Sequence, residues 1–167
     1  MYVKSLALLA LLCSAVPAFA TPKIQHWQAA SGAQVYFVED HGIPMLDVSV
    51  DFAAGSAFDP AGSPGLAEMT ENLLSDGADG LSEDDIARKL ADVGAQAGDH
   101  FDEDRAGLTM RTLSSAAERQ QALDVLARML QSPQFPQNVL EREKARKIAA
   151  LKESQTKPEY IAGKTFN

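Results

Sequence analysis

The chain has 167 residues, of which 46% are hydrophobic and 23% charged, and it carries a formal net charge of −8 at neutral pH. That acidity argues against nucleic acid and against anionic membrane surfaces as partners. The one cysteine, Cys13, lies in an N-terminal leader, so no disulfide or thiolate metal site can stabilise the rest of the chain, and a hydrophobic core must hold the fold.

Residues 1–20 carry Lys4, an apolar run over 6–16, and the small-residue pattern Ala18-Phe19-Ala20 just before Thr21. This reads as a secretory signal cut after Ala20, with residues 21–167 exported to the periplasm or beyond. A spanning helix needs roughly 20 apolar residues. The run is shorter than that, so no membrane association is expected after cleavage. What remains is about one domain in length.

Alternating apolar and polar residues over 33–38 and 45–52 predict strands, with turns at Ser31-Gly32 and over 41–44. Residues 55–65 are rich in Gly, Pro and small side chains and predict a loop into a helix, with Pro64 suited to its first turn. Leu66, Met69, Leu73 and Leu74 give that helix its apolar stripe, ending at Gly77. Ser82 caps a second helix, whose stripe of Ile86, Leu90 and Val93 stops at Gly94. A strand pair follows, with 106–113 its clearer half. Leu123, Leu126, Met129 and Leu130 mark a third helix, and Pro133 and Pro136 separate it from a long charged helix over 138–152. Lys157-Pro158-Glu159-Tyr160 looks like a further helix start that the chain does not complete before Asn167, so the module reads as incomplete at its C-terminal end. Blocks of strands followed by blocks of helices point to an α+β fold, a mainly antiparallel sheet with helices packed on one face.

Gly55-Ser56, Asp59-Pro60 and Gly65-Leu66-Ala67, followed in order by Leu130-Gln131-Ser132-Pro133 and Glu141-Arg142-Glu143, resemble the N-terminal half of the pitrilysin, insulinase and mitochondrial processing peptidase family. In that family the metal helix reads His-x-x-Glu-His. Residues four apart share a helical face, so two imidazoles bind one zinc while the glutamate serves as general base. The resemblance lays Glu68-Met69-Thr70-Glu71-Asn72 over this motif. Glu71 then matches the base, whereas Glu68 and Asn72 stand where the histidines would be. The family's third ligand, a later glutamate, falls on Ala149. Carboxylate, amide and methyl replace the whole ligand set, so no metal or other cofactor is expected, although the family uses zinc. Its strand that holds extended substrate falls at Gly98 and Asp99.

The resemblance implies a non-catalytic homologue working as partner subunit of a ligand-complete peptidase in peptide or protein processing, with an extended peptide as a second partner held by backbone pairing. Two rival readings remain: an active metalloendopeptidase using altered ligands, and a stand-alone periplasmic peptide-binding or scaffold protein.

Simpler readings stand beside these. Glu71 reads as a solvated helix residue near a Lys or Arg. Glu68, Glu71 and Asn72 offer fewer oxygens than a calcium site recruits. Asp99, Asp102, Glu103 and Asp104, with His100 among them, read as a solvated turn between strands. Arg142, Lys144, Arg146 and Lys147, alternating with Glu141 and Glu143, read as an exposed, salt-bridged helix face. His26 and His41 have no partner at ligand spacing.

Overall fold

The computed structural model describes residues 22–166, without the side chain of Phe166. The proposed leader, 1–20, lies outside the described residues. The chain divides into two compact units, one ending at Ile43 and the other beginning at Pro44.

The described part of the first unit is an antiparallel hairpin of β1 (Ile24–Gln28) and β2 (Gln34–Val38), paired from Ile24↔Val38 to Gln28↔Gln34. His26 and Tyr36 face each other across it and stack at 4.5 Å between ring centroids. His26 Nε2 also lies 2.9 Å from Gln34 Oε1, which accounts for this histidine without a ligand.

The second unit is built on a three-stranded antiparallel sheet in the order β3-β7-β6, formed by β3 (Met45–Phe52), β6 (Gln96–Phe101) and β7 (Ala106–Leu113). Successive side chains on a strand point to opposite faces, and the register sorts them cleanly. Val48, Met110 and Ala97 share one face with Val50, Leu108 and Asp99. Asp47, Arg111 and Gln96 share the other. There Arg111 donates two hydrogen bonds to the Asp47 carboxylate, at 2.6 and 3.0 Å.

Three helices contact the sheet: α1 (Leu66–Leu73), α2 (Glu83–Ala91) and α3 (Ala116–Gln131). Ile86 and Leu90 of α2, Ala122, Val125, Leu126 and Met129 of α3, and Leu108 and Met110 of β7 form one buried cluster. Full burial of a side chain of this size stabilises by about 1.5–3 kcal/mol relative to exposure. This cluster therefore supplies the core that the described residues, which contain no cysteine, require. The helices α4 (Gln137–Ser154) and α5 (Pro158–Phe166) complete the chain. Among the described residues no helix is long and apolar enough to cross a membrane.

The α+β class and its antiparallel sheet follow the expectation, and three details differ from it. A small pair, β4 (Gly77–Ala78) and β5 (Leu81–Ser82), joins α1 to α2. It is too short to leave a periodic signal. Pro64 stays in the loop: α1 starts at Leu66 behind Gly65 because Asp59 accepts hydrogen bonds from Gly65 N at 2.6 Å and Ala67 N at 2.8 Å. The helix start expected at Pro158 is present, and α5 is described over nine residues, Pro158–Phe166, with Pro158 in its first turn where a missing N–H costs nothing. Finally, the acidic cluster is divided. Asp99 and His100 belong to β6, and only Asp102, Glu103 and Asp104 form the turn.

Candidate functional site

The loop before α1 is locked by backbone contacts to the β6–β7 turn. Ala57 N donates to Glu103 O at 2.9 Å and Ser56 N to Asp102 O at 3.2 Å. At Gly55 an added Cβ would meet Asp102 O and Arg105 N at 2.5 Å, which only glycine avoids. Asp59 then reaches forward to cap α1. A carboxylate here satisfies free N–H groups and complements the positive end of the helix. The loop thus fixes where α1 begins, and with it the positions of Glu68, Glu71 and Asn72.

Glu71 is not the solvated residue that its charge suggests. It is 2% exposed, and neither carboxyl oxygen has a hydrogen-bonding partner among the described residues. An unpaired buried charge is costly, so the group favours its neutral form. Burial pushes its pKa up to about 7, and the nearby charges of Asp99 and Glu68 push the same way, against Lys147 and His100. Glu71 borders a cavity of about 170 Å³ that Asn72, Ser75, Gly98, Asp99 and Met129 also line.

Gly98 and Asp99 lie on β6, which among the described residues pairs only with β7 and so forms an edge of this sheet. At Gly98 an added Cβ would meet Thr109 Oγ1 at 2.7 Å, so the strand is kept bare on its outer face at this point. Asp99 points to the other face, the one that carries Leu108 and Val50.

The other two ligand positions are occupied differently. Glu68 forms an ion pair with Lys147 of α4. Asn72 is exposed and donates its side-chain amide to Glu68 O at 2.5 Å. Ala149 is exposed on α4 and is not among the residues facing α1. Those residues are Glu143, Arg146, Lys147 and Ala150, which line a groove of about 250 Å³ with Met69 and Asn72. Two helical residues subtend roughly 200°, so a side chain at 149 leaves on nearly the opposite side from Lys147. The structure therefore brings Glu68, Glu71, Asn72, Gly98 and Asp99 together and leaves Ala149 apart.

The sequence reading missed Lys147 as an interhelical partner, having assigned it to a solvated face. Helical spacing held the signal, since 143, 147 and 150 share a face. Its neighbours behave as expected: Lys144 pairs with Glu141 at 3.2 Å and Arg146 with Glu143 at 2.9 Å. Arg142 bridges Glu83 at 3.1 Å and Glu143 at 2.9 Å.

Comparison with known proteins agrees with this geometry. The sequence profile of the insulinase family, peptidase family M16, matches residues 34–166. The chain belongs to that family. A protein from Helicobacter pylori (strain ATCC 700392 / 26695) named "Non-peptidase homolog YmxG" is 26% identical over 132 residues, which are 79% of this chain and 30% of that protein. The crystal structure of a peptidase M16 inactive domain from Pseudomonas fluorescens superposes with a TM-score of 0.82 at 34% identity, covering 84% of this chain and 34% of that one. The chain thus spans about a third of the length of these M16 relatives. Both relatives are described by their names as lacking peptidase function.

Zinc, which the M16 family implies, does not fit the donor set. Glu68 already faces an ammonium group, Asn72 is an amide turned toward its own helix, and position 149 offers a methyl group. Among the described residues no group of three or more His, Cys, Asp or Glu side chains is placed to hold a metal. Structural and catalytic zinc sites need three or four such donors.

Proposed function

We propose that this chain is part of an exported, non-catalytic M16 homologue that works beside a ligand-complete peptidase subunit and helps hold its extended substrate. One observation carries the reading: the carboxylate at the first ligand position is neutralised by Lys147, so Glu71 has no metal-bound water to activate. Hydrolysis in this chemistry depends on a metal that lowers the pKa of its water and polarises the carbonyl. Peptide holding is supported by the unpaired edge of β6 at Gly98 and Asp99, since an extended chain can add to a sheet edge through its backbone.

The test is direct. Purified protein should contain no stoichiometric zinc by elemental analysis and cleave no peptide alone, and it should co-purify with a homologue that carries an intact His-x-x-Glu-His. Failure to associate would sink the partner role.

A second reading has one observation in its favour. The pKa of Glu71, near 7, suits a general base working at neutral pH. An active enzyme with altered ligands predicts bound metal and activity abolished by Glu71→Gln. Absence of both removes it.

A further inference from the structure

The Lys147–Glu68 pair is the only ion pair between α1 and α4 among the described residues. The other basic side chains of this stretch of α4 are engaged elsewhere: Lys144 and Arg146 within the helix, and Arg142 with Glu83 and Glu143. Arg146 also borders the groove beside α1, but among the described residues only Lys147 forms an ion pair with that helix. There it meets an excess of acid, because Glu68 and Glu71 are on α1 and Asp99 is on the neighbouring strand. A cation at this point offsets like-charge repulsion, which a set of carboxylates cannot relieve among themselves.

From this geometry we infer that the Lys147 ammonium is a built-in replacement for a metal ion: a protein cation that neutralises Glu68 and ties α4 to α1. A zinc ion bound by both helices would supply the same two things, a positive charge among acids and a link between elements. Lysine supplies them permanently and without Lewis acidity, and its charge repels a divalent ion from Glu68. The two side chains are 41% and 40% exposed, so the link is modest in strength and open to salt. The inference rests on the reading that α1 holds no zinc, and the two can fail separately.

The experiment uses the full chain and four variants: Lys147→Met, which keeps the apolar stem, Glu68→Gln, the double variant of these two, and Lys147→Glu. Lys147→Met should lower the melting temperature by about 2–4 °C at low salt. That loss should shrink in molar NaCl and vanish in the Glu68→Gln background, where the partner is already gone. Lys147→Glu exposes Glu68 to solvent cations and adds a carboxylate. It should bind Mn²⁺ at least about tenfold more tightly than the wild type in titration calorimetry. If Lys147→Glu fails to fold, Lys147→Met, which also removes the charge that repels a cation from Glu68, is titrated with Mn²⁺ in its place.

An unchanged melting temperature for Lys147→Met, or a loss that persists without Glu68, overturns the clasp while leaving the zinc-free reading standing. Absence of any gain in Mn²⁺ affinity overturns the replacement of a metal by lysine. One-to-one zinc binding by the wild type, unaffected by Lys147→Met, overturns both.

Discussion

Two carboxylates about thirty residues apart in sequence show opposite fates. Glu71, on α1 facing a cavity that β6 also lines, is 2% exposed, both its oxygens lack partners among the described residues, and its pKa rises to about 7. Asp102, in the β6–β7 turn, accepts hydrogen bonds from Arg105 N at 2.7 Å and Asp104 N at 2.8 Å. Chiefly through the Arg105 backbone bond, its pKa falls to about 2. Residue type does not separate these acids; supply of donors and access to water do. Asp102 organises a turn and needs its charge. Glu71 keeps a position in which its charge is a burden, the mark of a group placed for something other than stability.

The largest effect should come from the wall of the Glu71 cavity. Met129 is fully buried and lines it, so Met129→Ala removes core contacts and enlarges the void. Loss of about 2–5 kcal/mol is expected in urea unfolding. The wider cavity also admits water to Glu71, so its titration midpoint should move down toward the usual carboxylate range, as read by carboxyl NMR. A midpoint that stays near 7 would mean that burial is not the cause.

Glu71→Gln should act in the opposite direction. A carboxyl whose folded pKa lies above its unfolded value gives stability that is complete below the unfolded pKa, near 4.5, and is lost as pH rises through about 7. The amide carries no charge and escapes that loss. The variant should therefore match the wild type near about pH 4.5 and exceed it by about 2 kcal/mol near about pH 8, after allowance for relaxation and water entry. Equal differences at both pH values would show that Glu71 does not titrate in this window. A stabilising change at a matched catalytic position is what a strained functional group predicts.

Much of this comparison was legible in the sequence, and the failure has a definite cause. The first strand of the sheet was readable from alternation over 45–52, and α2 from its Ser82 cap, where Asp85 N donates to Ser82 Oγ at 3.2 Å while Ser82 N donates to Asp85 Oδ2 at 3.1 Å. On α1 the periodic stripe of Leu66, Met69 and Leu73 misleads. Leu73 is buried as the stripe requires, but Leu66 is half exposed, Met69 faces α4, and the helix buries Glu71 as well. Periodicity assigns charged residues to solvent by default, so it cannot flag an acid that a second layer covers. The Asp59 cap and the Glu68 partner escaped for a related reason. Both join residues whose meeting depends on tertiary placement. Only the Lys147 side of that ion pair had a local signal, in helical phase.

The smallest effect belongs to Asp102, and its value lies in its sign. Its folded pKa is depressed from 3.8 to about 2, so its contribution is present above about pH 4 and is lost as pH falls through about 2. Asp102→Asn keeps the shape and one acceptor but forfeits the charge that its donors favour. At neutral pH the variant should melt slightly below the wild type, and the gap should close on acidification. Glu71→Gln, by contrast, should open its gap as pH rises. Melting curves of both variants between acid and mildly alkaline pH therefore give two lines of opposite meaning. If the Asp102→Asn gap persists in acid, the turn is held by the shape of this side chain rather than its charge, and the contrast with Glu71 loses its electrostatic basis.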